Sequence, residues 1–302
     1  MAPKSLPDYF RPINAESRAT AARDRRALLR LTAEETQSLL PGILMVVPRA
    51  PPTAHSCSHT RYIALNPRFS PKLSTQVEVL FGDTFDIAIR LSNPSRHFRQ
   101  SGTQNVCVLN MANERTPGGG WLNGAMAQEE ALCYRSSLSL TLKERYYPIG
   151  ERDAIYSPSV VIFRENFTQG HGLMNLQKPE LLPVVSVISV AALEGPEVDH
   201  TTSPPSYKHT SDRELMKDKM RSILRIAGYK KHRRIILGAL GCGAFANPNV
   251  AVAECWAEVL QEVEFQGWWE RLIFAVLDDT AKVAQGNSNF DVFRERLHGL
   301  RI

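Results

Sequence analysis

The sequence contains 302 residues, of which 43% are hydrophobic and 22% are charged, and its formal net charge is +5. This composition is typical of a globular protein and excludes disorder along the whole chain. The apolar runs, such as residues 184–193, are far shorter than the roughly 20 residues needed to cross a bilayer. The polar residues 1–14 contain no apolar signal region, so we expect an intracellular protein, cytoplasmic or nuclear, without membrane contact.

The basic charge balance, with a sequence pI of about 9.0, would favour encounters with a polyanion. The densest basic cluster, residues 230–234, directly precedes an apolar run, where such charges are usually solvated. No basic stripe alternates with aromatic residues, so we expect no specific nucleic-acid site. We also expect a monomer.

The five cysteines predict reduced thiols, because their number is odd and no CxxC pair occurs. They are Cys57, Cys107, Cys133, Cys242 and Cys255. One short tract, His55, Cys57 and His59, has the residue types of a metal site but lacks a second ligand pair, so we expect no metal there.

The first segment of the chain has alanines and leucines at helical spacing over residues 15–40, which predicts one or two helices. Prolines at positions 41, 48, 51 and 52 then break the pattern. We therefore expect residues 1–70 to form a helical and proline-rich extension that packs on a core of residues 71–302.

The core alternates apolar runs with amphipathic stretches. The runs predict strands at 75–81, 105–111, 159–165, 183–193, 233–240 and 271–278. The stretches between them predict helices at 83–93, 125–142, 211–229 and 249–265, and residues 194–212 form a loop or insertion. Near-continuous hydrophobicity in the strands predicts a mostly parallel sheet covered by helices on both faces, a three-layer α/β fold.

The loop after the 105–111 strand contains a glycine triplet at 118–120. Glycine loses more freedom on folding than any other residue, so a triplet indicates that the backbone must approach something closely. In a mostly parallel sheet, ligands bind beyond the carboxyl ends of the strands, where this loop lies.

Gln128, Glu129 and Glu130 follow the triplet after a seven-residue spacer, in the first turns of a predicted helix. Acids at this position often only stabilise the helix dipole. Because adjacent residues lie about 100° apart around a helix, the two carboxyls cannot have the same task. One can face a ligand hydroxyl and the other a bond being broken, and a buried carboxyl beside a diphosphate is suited to protonate a sugar leaving oxygen.

The loop after the 233–240 strand, GALGCGAFANP, leads into a helix and could bind a diphosphate through backbone amides. GCGAFA also satisfies the dinucleotide fingerprint GxGxxG/A. That fingerprint requires an acid about 20 residues later, whereas the candidates Asp278 and Asp279 come some 35 residues later. A nicotinamide-dependent oxidoreductase is therefore disfavoured, and a simple tight turn is the remaining alternative.

Together, the glycine triplet, the seven-residue spacer and QEE resemble the signature of the poly(ADP-ribose) glycohydrolases. The second loop and the phrases IYSPSVVIFRE and FAVLDD resemble the microbial type of this family, from about residue 15 to the C-terminus. The resemblance implies a three-layer α/β/α macrodomain with a mixed, mostly parallel sheet. It also implies hydrolysis of the ribose-ribose O-glycosidic bond without a metal or other cofactor, with poly(ADP-ribose) or ADP-ribosylated proteins as substrates and ADP-ribose as product.

The resemblance assigns roles to individual residues. Glu130 matches the general acid that becomes the general base, and Glu129 matches the carboxylate that holds a ribose hydroxyl. The substrate would be bound by residues of both loops: Asn113, Pro117, Gly118, Gly119, Gly120, Gln128, Gly241, Cys242, Gly243, Ala244 and Phe245. Two further alternatives stay open: a hydrolase of mono-ADP-ribosyl or O-acyl-ADP-ribose substrates, and a macrodomain that binds ADP-ribose without catalysis.

Overall fold

The computed structural model describes residues 24–92, 104–278 and 288–302. Seven strands in these ranges form one sheet: β1 (His55–Cys57), β2 (Val77–Phe81), β3 (Cys107–Ala112), β4 (Ala154–Val161), β5 (Val184–Ala191), β8 (Arg234–Leu237) and β9 (Arg271–Val276). Two short strands, β6 (Val198–Asp199) and β7 (Ser206–Tyr207), form a separate hairpin. The helices are α1 (Arg25–Val46), α2 (Thr84–Leu91), α3 (Gln128–Arg135), α4 (Leu138–Thr141), α5 (Thr210–Tyr229), α6 (Asn249–Gln261) and α7 (Asn289–Leu297).

The main sheet has the strand order β1-β4-β5-β3-β8-β9-β2. Within the run β5-β3-β8-β9-β2 each strand is parallel to the next, while β4 pairs antiparallel with both β5 and β1. One apolar core contains side chains of α5, α6 and α7, and a second contains side chains of α1, α2, α3 and α4. The predicted three-layer α/β/α fold with a mixed, mostly parallel sheet is therefore confirmed.

The edge strand β1 and the boundaries of β4 differ from the predicted strands. β1 is only three residues long and has two exposed polar side chains, so it carries no apolar pattern. β4 begins at Ala154 instead of residue 159 and crosses Pro158, with an irregular register between Ser157 and Val160. The first half of this strand was not predicted, because proline normally marks the end of a strand pattern.

The first helix continues through a proline that the sequence suggested would end it. Pro41 is exposed within α1 and costs the helix one backbone hydrogen bond. Leu39, Leu40 and Ile43 on either side are buried against Val161 and other apolar side chains of the core. This burial offsets the loss, and α1 reaches Val46 as one helix. Residues 15–23 of the predicted helix lie outside the described ranges.

The predicted helix 125–142 is two helices, because Ser136 interrupts it. Ser136 has an extended backbone, and its hydroxyl donates to the Leu132 carbonyl at 2.7 Å and accepts from the Leu138 amide at 3.1 Å. Such side-chain bonds to nearby backbone compete with helical hydrogen bonds. The predicted loop 194–212 contains the β6–β7 hairpin, and α5 begins within it at Thr210.

All five cysteines are free thiols, as predicted, and only Cys242 is partly exposed. His59 pairs with Asp153, with 3.0 Å between Nδ1 and Oδ1. The part of the chain that is described holds no cluster of three or more His, Cys, Asp or Glu side chains arranged to bind a metal. Across the same residues, no helix combines the length and the apolar character that crossing a membrane requires.

A buried ion pair fixes α1 to the core. The Arg164 guanidinium lies 2.7 Å from Oε2 of Glu35 and also donates to the Thr36 hydroxyl at 2.9 Å. The Thr36 hydroxyl in turn donates to the carbonyl of Tyr134 in α3 at 2.8 Å. The helix that carries the QEE residues is therefore connected to α1 through buried polar contacts.

Replacing Arg164 with Met is expected to destabilise the protein by about 3–5 kcal/mol, because it removes the guanidinium that pairs with the buried Glu35 carboxylate. Urea unfolding measures this as a lower midpoint. The double variant Glu35→Leu/Arg164→Met is the control and should be less destabilised than the sum of the single variants. An unchanged midpoint in Arg164→Met would show that the pair does not hold α1.

Candidate active site

The two glycine-rich loops meet at one cleft at the carboxyl ends of the neighbouring strands β3 and β8. The cleft has a volume of about 260 Å³. It is lined by Met111, Ala112, Asn113, Ala127, Gln128, Glu129, Glu130, Ala192, Ala239, Gly241, Gly243, Ala244 and Phe245. Eight of the predicted site residues therefore line it, from both loops.

Glu129 is held from two sides by donors of β3 and the loop after it. Its Oε1 accepts a hydrogen bond from Nδ2 of Asn110 at 3.1 Å, and its Oε2 accepts one from the backbone amide of Asn113 at 2.7 Å. The side chain is buried at the base of the cleft. These bonds fix the direction of the carboxyl group before any ligand arrives.

The pKa of Glu129 is raised from its ordinary value of 4.5 to about 8. Burial is the largest cause, because it disfavours the charged carboxylate, and the nearby Glu130 charge adds to the effect. The hydrogen bonds from Asn113 and Asn110 act in the opposite direction. Glu129 therefore holds a proton at neutral pH.

This raised pKa predicts a pH-dependent stability. Because the pKa of Glu129 in the folded state lies above 4.5, the contribution of its protonation to the free energy of unfolding is fully present below pH 4.5. This contribution is lost as the pH rises to about 8. Glu129→Gln cannot titrate, so it lacks this pH-dependent loss. Between pH 4.5 and 8, the free energy of unfolding of the variant should therefore rise relative to that of the wild type by a few kcal/mol, at about 1.4 kcal/mol per pKa unit. Urea titrations at several pH values measure the difference. The exposed Glu295→Gln is the control, and a parallel pH dependence in Glu129→Gln and wild type would contradict the raised pKa.

Glu130 is turned toward the glycine loop. Its Oε1 accepts from the Gly120 amide at 2.9 Å, and its Oε2 accepts from the Ala127 amide, at the start of α3, at 2.8 Å. Both donors are backbone groups, so the carboxyl of Glu130 joins the glycine loop to the first turn of the helix. The side chain is buried but still lines the cleft.

The glycine triplet packs against the two carboxyls. A β-carbon built on Gly119 would collide with Oε1 of Glu130 and lie 3.2 Å from Oε2 of Glu129. The backbone of Gly118 and Gly119 also has positive φ angles of 74° and 58°. Gly118, Gly119 and Gly120 were expected to approach a diphosphate and ribose, but they do not line the cleft. The glycine loop approaches the two acids closely.

Gln128 completes the edge of β3 with its side-chain amide. Its Oε1 accepts from the Met111 amide at 2.9 Å and its Nε2 donates to the Leu109 carbonyl at 2.7 Å. β8 pairs with β3 only at Cys107 and Val108, so Gln128 occupies the place where the next strand has diverged. Gln128 borders the cleft, but its polar atoms bind the protein and position the start of α3.

Asn113 supports the first loop with its side chain. Its Oδ1 accepts from the backbone amides of Arg115 and Thr116 at 2.9 and 2.8 Å, which forms a tight turn. Asn110 was not predicted as a site residue. It is fully buried, and its Nδ2 bonds both Glu129 and the Ser189 hydroxyl at 3.0 Å. A polar Asn within the apolar run NVCVLNM was the available signal.

The second loop is held by Asn247, which was also not predicted. Its Nδ2 donates to the carbonyls of Leu193, Gly241 and Phe245, and its Oδ1 accepts from the Tyr207 hydroxyl at 2.9 Å. Gly241 has a φ of 78°, and a β-carbon there would lie 2.5 Å from Asn247 Nδ2. This position therefore requires glycine because the loop folds tightly over Asn247.

Two predicted binding residues have side chains outside the cleft. Pro117 lines a neighbouring groove with Arg115 and Tyr147. The Cys242 side chain packs against the apolar core behind the second loop, where burial raises the pKa of its thiol. Asp278, a candidate ribose acid of the disfavoured oxidoreductase, accepts from the Phe290 amide at 2.9 Å, and Asp279 lies outside the described residues.

The chain is similar to known proteins in sequence and in structure. The family model described as the catalytic domain of microbial-type poly(ADP-ribose) glycohydrolase matches residues 50–165, which contain the first loop and α3. No curated protein matches the sequence.

Solved structures give the wider similarity. The chain is similar to poly(ADP-ribose) glycohydrolase of Thermomonospora curvata bound to the inhibitor ADP-HPD, with 25% identity, 89% of this chain and 98% of that chain covered, and a TM-score of 0.71. It is also similar to that of Deinococcus radiodurans in complex with ADP-ribose, with 26% identity, coverage of 85% and 97%, and a TM-score of 0.64. The resemblance to the microbial type of this family is confirmed.

Proposed function

We propose that this chain is a microbial-type poly(ADP-ribose) glycohydrolase, a glycosidase that hydrolyses the ribose-ribose O-glycosidic bond and releases ADP-ribose. The observation that most strongly supports this proposal is the cleft itself, which has a buried carboxyl pair at one side and a glycine-rich loop at the other. A solved glycohydrolase similar to this chain binds ADP-ribose. A ligand with a diphosphate next to a sugar matches both sides of the cleft.

The second loop supplies the diphosphate site. Among the described residues, no acceptor bonds the backbone amides of Gly243, Ala244 and Phe245. These three consecutive donors border the cleft, and the loop leads into the N-terminus of α6. Consecutive free amides before a helix favour an anion. Phe245 packs its ring on the terminal ribose, while Asn113 faces the same sugar.

The carboxyl pair supplies the proton. Glu130 protonates the leaving 2′-oxygen as the bond from this oxygen to the anomeric carbon breaks and an oxocarbenium ion forms. The Glu130 carboxylate then removes a proton from the water that attacks this carbon, which returns the proton to the enzyme. Glu129 holds a ribose hydroxyl. The raised pKa of the adjacent Glu129 supports this scheme, since burial at this end of the cleft disfavours a second negative charge, and a bound diphosphate adds to that effect.

The substrate is tested by offering the purified protein three compounds in parallel: poly(ADP-ribose), a mono(ADP-ribosyl)ated protein and O-acetyl-ADP-ribose. We expect ADP-ribose to be released from the polymer and not from the other two. Cleavage of the side-chain or ester linkage with the polymer left intact would contradict the proposal. Binding of ADP-ribose without any cleavage would instead identify a non-catalytic macrodomain.

A further inference from the structure

A second groove, of about 510 Å³, lies beside the edge strand β1 and is strongly basic. We call it the basic groove. Three permanent cations, Arg61, Lys143 and Arg145, line it together with His55, and no carboxylate does. The other lining residues are Pro52, Thr53, Ala54, Ser56 and Tyr146. Cations from two distant parts of the chain thus converge on one depression.

The cations of the basic groove differ in their pairing from those of α5. Arg213, Arg221 and Arg225 on α5 all pair with carboxylates. Within the described ranges, Arg61, Lys143 and Arg145 form no such pair. An uncompensated cluster of this kind attracts anions, since each charge lacks an internal partner.

Arg145 is also held in position. Its guanidinium lies 4.9 Å from the centre of the Tyr146 ring and donates to the Tyr146 hydroxyl at 3.0 Å. That hydroxyl donates to the Ala54 carbonyl at 2.6 Å, which ties the turn to the opposite wall of the groove. The charge is therefore presented at a fixed place, which lowers the entropy lost when an anion binds.

The basic groove is connected to the loop that carries the glycine triplet. The turn Glu144–Tyr146 separates it from the groove that Pro117 lines. Glu114 lines this intervening groove and directly follows the cleft residue Asn113 in the chain, and the Ile149 amide donates to the Glu114 carbonyl at 2.9 Å. A ligand leaving the cleft past Asn113 therefore meets the intervening groove first and the basic groove next.

We propose that the basic groove binds a diphosphate of the polymer that continues beyond the scissile bond. This inference rests on the proposed function. With the terminal diphosphate at Gly243 to Phe245 and the bond at Glu130, the rest of the polymer must leave on the side of the first loop. Each further unit carries another diphosphate. The intervening groove holds Glu114 and Glu144 against one cation, Arg115, so the attraction is concentrated in the basic groove.

The test compares polymer and monomer binding in the Glu130→Gln background, so that binding is measured without turnover. One protein also carries Arg61→Gln, Lys143→Gln and Arg145→Gln. The matched control carries Arg68→Gln, Lys178→Gln and Arg296→Gln, which removes three exposed cations elsewhere and gives the same net charge. The probes are labelled poly(ADP-ribose) of defined length and ADP-ribose, measured by fluorescence anisotropy at several salt concentrations.

We expect the basic-groove variant to lose about tenfold or more in polymer affinity, with a shallower salt dependence, because phosphate contacts are lost. Its ADP-ribose affinity and both affinities of the control should stay within about twofold of the background. Equal polymer affinity in both triple variants would overturn the inference, as would an equal loss of affinity for ADP-ribose and for the polymer in the basic-groove variant. Failure of the background protein to bind ADP-ribose would contradict the proposed function instead.

Discussion

Glu130→Gln is expected to lower the release of ADP-ribose from poly(ADP-ribose) by about 10²–10⁴-fold, because a glutamine cannot donate and recover the proton. The affinity for ADP-ribose should be retained, since the three free amides of the second loop are untouched. The glutamine can still accept one of the hydrogen bonds from the Gly120 and Ala127 amides, so the fold should persist with a small loss of stability. Turnover by chromatography and binding by calorimetry measure the two effects separately.

Glu114→Gln is the matched control, since this acid lies in the same loop region but lines the neighbouring groove. Its turnover should stay near that of the wild type. Comparable turnover in Glu130→Gln and wild type would disprove the assigned role. A complete loss in Glu129→Gln with activity kept in Glu130→Gln would exchange the roles of the two acids.

Gly119→Ala is expected to remove most activity without changing any acid. The added β-carbon would collide with Oε1 of Glu130 and press on Glu129, so both carboxyls must move. The residue also has a φ of 58°, which costs an alanine about 1–3 kcal/mol. Turnover and the urea midpoint should therefore both fall.

Gly170→Ala is the control that separates the effect of backbone strain from the displacement of the two carboxyls. Gly170 has a similar φ of 71°, but nothing lies within 4 Å of the added β-carbon. This control should lose stability to a similar extent and keep its activity. If Gly119→Ala retained wild-type turnover, the contact between the glycine loop and the acids would not matter for catalysis.

Patterns of local sequence predicted the parts of the fold that depend on periodicity. The strands β3, β5 and β9 and the helices α5 and α6 lie where apolar runs and amphipathic stretches indicated them. Tertiary contacts decided the rest. Burial on both sides of Pro41 kept α1 continuous, and the pairing of three-residue β1 with β4 gave it a strand conformation that its own residues do not favour.

The two loops of the candidate site were also visible in the sequence, because glycines and acids stand out in βα connections. The buried residues that support these loops were not visible in the sequence. Asn110 and Asn247 act through contacts with Glu129 and the second loop that only folding creates. The sequence also did not indicate that the space above Gly119 is filled by carboxyl oxygens of the same chain. Spacing indicated that a close approach was required but not what was approached.

The most direct measurement is the product formed by the purified wild-type protein from protein-free poly(ADP-ribose), followed by mass spectrometry over time. We expect the polymer to be consumed and free ADP-ribose to accumulate. A polymer that stays intact at protein concentrations that bind ADP-ribose would contradict a glycohydrolase.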